Sequence, residues 1–355
     1  MMFKTFFFSV GEIDRAVTSA SEILKRKYIQ NIGQQNLKSI HKLYRSKTRF
    51  YVDLAMASKL NVDELITGQQ SRHNEQLDAE KATTIDQLLN SNQDSNLVLI
   101  QGAGGVGKSY MMETAALHWA EGKIWKNVRL LFLLKFKELN LFSDRPFKES
   151  LETIHQTVFN VVTFEDLEKI GNQILFLIDG IDEFADLKNT LNASPYCKDT
   201  TVASGFSKLI KSQYLPGREL IVAGRISSCD QVRSTFKELS IESFDIRGFS
   251  TNQVKHYVEI YFSDNETKSQ NLIESINQHE KLQLMSRTPA FLWSLCELHH
   301  QTDTFINIET VTQLFAWQLT VYLQQHFRFT IKKSSIYNPM DIFCLLYTSP
   351  SPRDS

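Results

Sequence analysis

Cysteine is scarce and scattered in this chain: four residues in 355, at Cys197, Cys229, Cys296 and Cys344, with no C-x-x-C pair. That spacing excludes a zinc ribbon and a disulfide framework, and it suits a reducing, cytoplasmic setting. Charge of one sign is also lacking, since 39 Lys and Arg face 40 Asp and Glu for a formal net charge of -1. Global electrostatics therefore favour neither a nucleic acid nor a membrane surface. No apolar run approaches the roughly 18 to 20 residues that span a bilayer. The opening Met1-Met2-Phe3-Lys4-Thr5-Phe6-Phe7-Phe8 looks like a signal sequence, but charge returns at Glu12 and Asp14 and no small-residue cleavage pattern follows. Internal repeats and the Asn-Lys-x-Asp base-recognition motif of GTPases are absent too. What remains is an ordinary globular composition, 42% hydrophobic and 22% charged, long enough for two or three domains.

Against that background one segment stands out. Gly102-Ala103-Gly104-Gly105-Val106-Gly107-Lys108-Ser109 matches the phosphate-binding loop G-x-x-x-x-G-K-[ST]. Glycines let the backbone wrap an anion and turn its N–H groups inward, Lys108 reaches β- and γ-phosphates, and the Ser109 hydroxyl can ligate Mg²⁺. Context supports the match. Leu97-Val98-Leu99-Ile100 before it is a short apolar run suited to a strand buried on both faces, and Met111, Met112, Ala115, Ala116 and Trp119 after it recur at helical spacing. A helix opening at the loop adds its partial positive charge to the phosphate site.

From residue 96 onward strands and helices alternate. Further strands are expected at 128–134, 174–178, 220–223 and 243–246, with helical sequence at 147–170. The pattern predicts an α/β fold, a P-loop NTPase with a five-stranded, mostly parallel sheet, flanked by an N-terminal helical region and a C-terminal helical domain. The expected boundaries are 1–66 for the helical region, 67–95 for a polar linker with one helix near 79–89, 96–248 for the nucleotide-binding domain, 249–328 for the helical domain and 329–355 for a Ser/Pro tail. Within the first segment Ile13, Ala16, Val17, Ala20 and Leu24 share one helix face. In the last domain, helices are expected around Val254–Tyr261, Phe291–Leu298 and Val311–Tyr322. Residues 25–49 hold eight Lys or Arg and no acid, either a solvated helix face or a nucleic-acid or membrane patch.

The strand at 174–178 runs into Asp179-Gly180-Ile181-Asp182-Glu183-Phe184. In a parallel sheet the carboxyl ends of strands line the ligand crevice, so Asp179 emerges beside the phosphate loop and can hold Mg²⁺. Further out, Glu183 is the first choice for the base that activates water, with Asp182 as helper or alternative. An acidic turn or helix cap is the plain alternative for these residues. Arg225, at the end of the 220–223 strand, can approach a γ-phosphate or simply close the strand at the surface.

Taken together, these residues resemble the NACHT family of signal-transducing P-loop ATPases, the switch module of NOD-like receptors. Leu131-Phe132-Leu133-Leu134-Lys135-Phe136-Lys137-Glu138-Leu139, the Asp-Gly-x-Asp-Glu block, Leu215-Pro216-Gly217, Arg247-Gly248-Phe249-Ser250 and Thr288-Pro289-Ala290-Phe291-Leu292-Trp293 follow the family pattern in order, over about residues 96–328. The resemblance implies an ATP/ADP site with Mg²⁺. Gly102 to Ser109 would hold phosphate, Ser109 and Asp179 the metal, Glu183 the water and Arg225 the γ-phosphate, while Pro289 would pack on the base. Pro289 is equally a first-turn helix proline. It further implies a slow ATPase that signals by self-oligomerisation, with an effector protein and an upstream ligand as partners, in innate immunity or cell death. A helicase-like turnover enzyme and an ADP-locked scaffold that never hydrolyses are the alternatives. Two departures stand out: Ile226 follows Arg225 where the family has Pro, and no winged-helix segment follows residue 328. Residues 344–355 resemble adapter-derived sequence at the ends of conceptual translations, so C-terminal truncation is expected.

Overall fold

A computed structural model describes residues 10–33, 56–58, 97–184 and 200–301, with single positions at 85, 187, 313, 316 and 319. Expectations for the linker helix, the third C-terminal helix and the tail fall outside these residues, apart from the helical positions Gln313, Ala316 and Leu319. Two compact units divide at Arg247 and Gly248.

The first unit begins with α1 (Val10–Tyr28), followed by a single π turn (Ile29–Gly33) and β1 (Met56–Ser58). Then come β2 (Leu97–Gly102), α2 (Lys108–Ala120), β3 (Leu130–Lys135), α3 (Phe147–Ile154), α4 (Phe164–Lys169) and β4 (Ile174–Asp179). The unit closes with α5 (Val202–Ile210), β5 (Glu219–Gly224), α6 (Ile226–Thr235) and β6 (Ile241–Ile246). The sheet order is β1-β6-β2-β5-β4-β3. The expected strands, β2 to β6, are mutually parallel. β2 and β4 are buried along their whole length, as their unbroken apolar sequence requires of strands covered on both faces.

Two expectations need correction. The segment 1–66 is not purely helical, because Met56–Ser58 pairs antiparallel with β6 as a sixth strand. Met, Ala and Ser carry no strand signal, so the free edge of β6 recruits them. The helical stretch at 147–170 is three pieces, α3, a turn at Gln156–Phe159 and α4, since His155 leaves helical geometry and Thr163 starts α4 with a capping box to Asp166.

α1 buries Val17, Ala20, Leu24 and Tyr28 against the other end of the sheet. There the Tyr28 hydroxyl donates to the Leu131 carbonyl and accepts from the Leu133 amide, both at 2.9 Å, filling groups that edge strand β3 would otherwise leave open. Of the basic stretch, Lys25 lies 5.4 Å from the Trp119 ring centre, Arg26 pairs with Glu22 at 3.3 Å, and Lys27 reaches the Ile154 carbonyl at 3.4 Å. These three cations are engaged within the fold.

Arg218 is fully buried and clasps the end of α5, donating to the Leu209 carbonyl, to the Ile210 carbonyl at 2.9 Å and to the Ser212 hydroxyl at 2.9 Å. Burial pushes its pKa down to about 10, so it stays charged at neutral pH, against the negative end of the helix.

His155 is buried edge-on against Phe132, with Lys27 Nζ 3.4 Å from its Nδ1. Burial, then the Lys27 charge, push its pKa down to about 3 from an ordinary 6.5. The unfolded chain therefore binds one more proton than the folded chain between those values. Stability from this site is complete above about pH 6.5 and falls as the pH drops toward 3, by about 2 kcal/mol at pH 5. Urea midpoints at pH 7.5 and pH 5 test this: His155→Leu is expected to shrink the difference between them.

The second unit contains α7 (Thr251–Tyr261), α8 (Glu266–Gln278), α9 (Glu280–Ser286) and α10 (Pro289–Gln301). Ser250 opens α7 through a capping box with Gln253. Leu282, Leu295 and Leu298 form a small core flanked by Met285 and Phe291, and the Tyr261 hydroxyl donates to the buried Glu297 carboxylate at 2.6 Å.

Candidate nucleotide site

The loop between β2 and α2 has the backbone that its glycines permit. Gly105 and Gly107 lie at φ 79° and 98°, the left-handed region that side chains disfavour, and Gly107 caps α2 so that Lys108 and Ser109 are its first residues. Val106 tucks under the loop while Ala103, Gly104 and Gly105 face solvent. Lys108 folds over the loop, its ammonium donating to the Gly102 carbonyl at 2.8 Å and the Ala103 carbonyl at 2.9 Å. Burial lowers its pKa; Asp182 and Asp179 act against that shift.

Asp179 ends β4, which lies next to β5 and one strand further from β2. It is 8% exposed. Burial raises its pKa; the nearby Ser109 hydroxyl and then Lys135 oppose the rise. A hydroxyl and a carboxylate side by side are hard oxygen donors that fit Mg²⁺, which keeps most of its shell for water and phosphate oxygens. Among the described residues no group of three or more His, Cys, Asp or Glu could hold a metal ion by itself.

Beyond Asp179 the chain enters a 3₁₀ turn, Ile181–Glu183. Asp182 is held: its Oδ1 accepts from the Arg225 amide at 3.1 Å and its Oδ2 pairs with Arg225 Nε at 2.9 Å. Gly224 permits this approach, because a Cβ there would collide with Ile181 Cγ2. Glu183 is exposed, and its carboxylate has no hydrogen bond or ion pair among the described residues; its carbonyl accepts from Asn140 Nδ2 at 2.8 Å.

The first unit thus gathers Gly102 to Ser109, Asp179, Asp182, Glu183 and Arg225 at the carboxyl ends of β2, β4 and β5. Pro289 belongs to the second unit, where it is the half-buried first residue of α10. Sequence reasoning missed Lys135 and Glu113. They form a 2.6 Å ion pair beside Asp179, and the only signal for it was Glu113 standing one helical turn after Ser109. It also missed the network under the loop, in which Gln101 Nε2 donates to Asp245 and Arg233 donates to Gln101 Oε1 at 2.7 Å.

The NACHT domain family model matches residues 96–265. Among curated proteins, human NACHT, LRR and PYD domains-containing protein 14 is 25% identical over 258 residues, 69% of this chain and 22% of that protein. Mouse NACHT, LRR and PYD domains-containing protein 6 is 26% identical over 292 residues, 78% of this chain and 33% of its own length. Protein NLRC5 of Ictalurus punctatus is 29% identical over 275 residues, 72% of this chain and 15% of that protein. The chain thus spans a third or less of the length of these relatives.

Proposed function

We propose that this chain, whose residues 96–265 match the NACHT domain family model, is the ATP/ADP switch of a NOD-like-receptor-type protein, coupling nucleotide exchange and slow hydrolysis to self-association. The observation that carries the reading is the left-handed glycine loop at the carboxyl end of β2, with Lys108 folded over it, on the edge of the sheet where β4 ends in the buried Asp179. Phosphate oxygens are stronger acceptors than the loop's own carbonyls, so a bound nucleotide draws the Lys108 ammonium from Gly102 and Ala103 onto its β- and γ-phosphates. Bound Mg²⁺ would supply charge neutralisation there, held by Ser109 and Asp179.

Arg225 then has two competing acceptors. With no γ-phosphate it stays on Asp182; a γ-phosphate competes for the guanidinium and loosens the turn that carries Glu183. Glu183, exposed and unengaged among the described residues, orients and deprotonates the attacking water. Buried free thiols at Cys229 and Cys296 suit a reducing cytoplasm, and no helix among the described residues is long and apolar enough to cross a membrane. The names of the relatives favour an innate-immune setting, with an effector and an activating ligand yet to be identified.

Sedimentation velocity with ADP and with a non-hydrolysable ATP analogue tests the switch. A species at least twice the monomer mass is expected with the analogue alone. Equal mass with both nucleotides favours the ADP-locked scaffold, and ATP-driven strand separation favours a helicase.

A further inference from the structure

Four side chains gather on the phosphate side of the site. Ser109 and Glu113 are four residues apart on α2 and so share one face a single turn apart. Asp179 and Lys135 are register partners at the carboxyl ends of β4 and β3. Lys135 Nζ meets Glu113 Oε1 at 2.6 Å, a contact that joins helix to sheet next to Asp179. The cluster holds two carboxylates and one ammonium. The Lys135 and Glu113 side chains are 39% and 23% exposed, half-sheltered rather than free in water.

Electrostatics make the cation's position consequential. A diphosphate approaching Ser109 meets the Asp179 carboxylate, whose charge metal-free binding leaves uncompensated. Glu113, one turn along α2, would add a second negative charge on the same side. Lys135 cancels Glu113 and stands next to Asp179, so the phosphate meets one net negative charge instead of two.

We infer that Lys135 is a positioning residue of the nucleotide site, one that holds Glu113 away from the phosphates and thereby sets how strongly nucleotide binding depends on Mg²⁺. The inference rests on the reading of the loop as a nucleotide site. In this assignment Lys135 acts through Glu113, its ion-pair partner. Without it, Glu113 becomes a free carboxylate beside Asp179, which repels a metal-free diphosphate and attracts a divalent cation.

The test is titration of the full chain with a fluorescent ADP analogue, in EDTA and in saturating Mg²⁺. Lys135→Met is expected to weaken binding about tenfold in EDTA, a loss that shrinks to about twofold with Mg²⁺. Lys135→Arg keeps the charge and should behave as the native chain. The double variant Lys135→Met, Glu113→Gln replaces the ion pair by a neutral pair and should restore the native Mg²⁺ dependence. Equal losses with and without Mg²⁺, or no recovery in the double variant, overturn the inference, because a purely structural role predicts both. Failure of the nucleotide-site reading looks different: native chain and Lys108→Ala would then bind the analogue equally, or not at all.

Discussion

ADP affinity is expected to fall at least about 100-fold in Lys108→Ala, with little change in the stability of the nucleotide-free chain. The ammonium is half-buried and its pKa is depressed by that burial, so its charge is already partly stripped of water. Its present acceptors are two loop carbonyls, and a phosphate offers it charged ones in their place. Losing charge-assisted bonds of that kind costs about 3 kcal/mol of binding. The carbonyls of Gly102, which is buried, and Ala103, which faces solvent, lose one hydrogen bond each, so the empty chain loses little. Thermal shift provides a second reading. At an ADP concentration 100 times the native Kd the native chain gains about 2.7 kcal/mol, whereas a variant weakened 100-fold gains about 0.4 at the same concentration. Calorimetric titration of both proteins with ADP measures the difference directly, and undiminished binding by the variant would remove the loop from the site.

The loop and its two flanking elements were legible because each carries a local signal. Leu97 to Ile100 are apolar without interruption and emerge buried on both faces, while Met111, Met112, Ala115, Ala116 and Trp119 line the buried side of α2 as their spacing predicts. Illegible elements are those whose burial is polar or borrowed. α8 buries Ser269, Leu272, Ser275 and Ile276, a helical period in which half the positions are serine, so hydrophobicity alone does not reveal it. α9 contributes a single fully buried apolar residue, Leu282, to its core. β1 has no strand-forming residue and exists through its pairing with β6. Arg218 reads as a surface cation following a Leu-Pro-Gly turn, yet its destination is the carbonyl end of α5.

The same division runs through the candidate site. Asp179 could be placed beside the loop because it ends an apolar strand, and topology sends strand ends there. The engagement of Asp182 by Arg225 could not be foreseen, because it depends on Gly224, where a Cβ would collide with the Ile181 side chain in the turn after β4. Lys135 was hidden for another reason. It lies in the continuous run Leu130–Lys135, and only the parallel register with β4 puts it beside Asp179.

That asymmetry between the two acids decides the second large effect, in Glu183→Gln. Hydrolysis is expected to fall at least about 100-fold, the usual worth of a positioned base, while ADP affinity stays within about threefold. Gln has nearly the shape of Glu, and the backbone contacts that fix the turn survive it: the Glu183 amide donates to the Gly180 carbonyl at 2.8 Å, and its own carbonyl still accepts from Asn140. What disappears is a carboxylate charge that no described residue holds by a hydrogen bond or ion pair. Asp182→Asn acts differently, since it removes the charge that holds Arg225 and frees the guanidinium without touching the water-facing position. Its expected signature is a shift in ATP affinity relative to ADP, with hydrolysis less affected than in Glu183→Gln. Single-turnover hydrolysis alongside nucleotide titrations separates the two. If native-like hydrolysis persists in Glu183→Gln and vanishes in Asp182→Asn, the base is Asp182 and the Arg225 pair is part of its activation rather than a latch. If Glu183 is the base, ATP itself becomes as long-lived on Glu183→Gln as a non-hydrolysable analogue, and the larger species in sedimentation should then form with plain ATP.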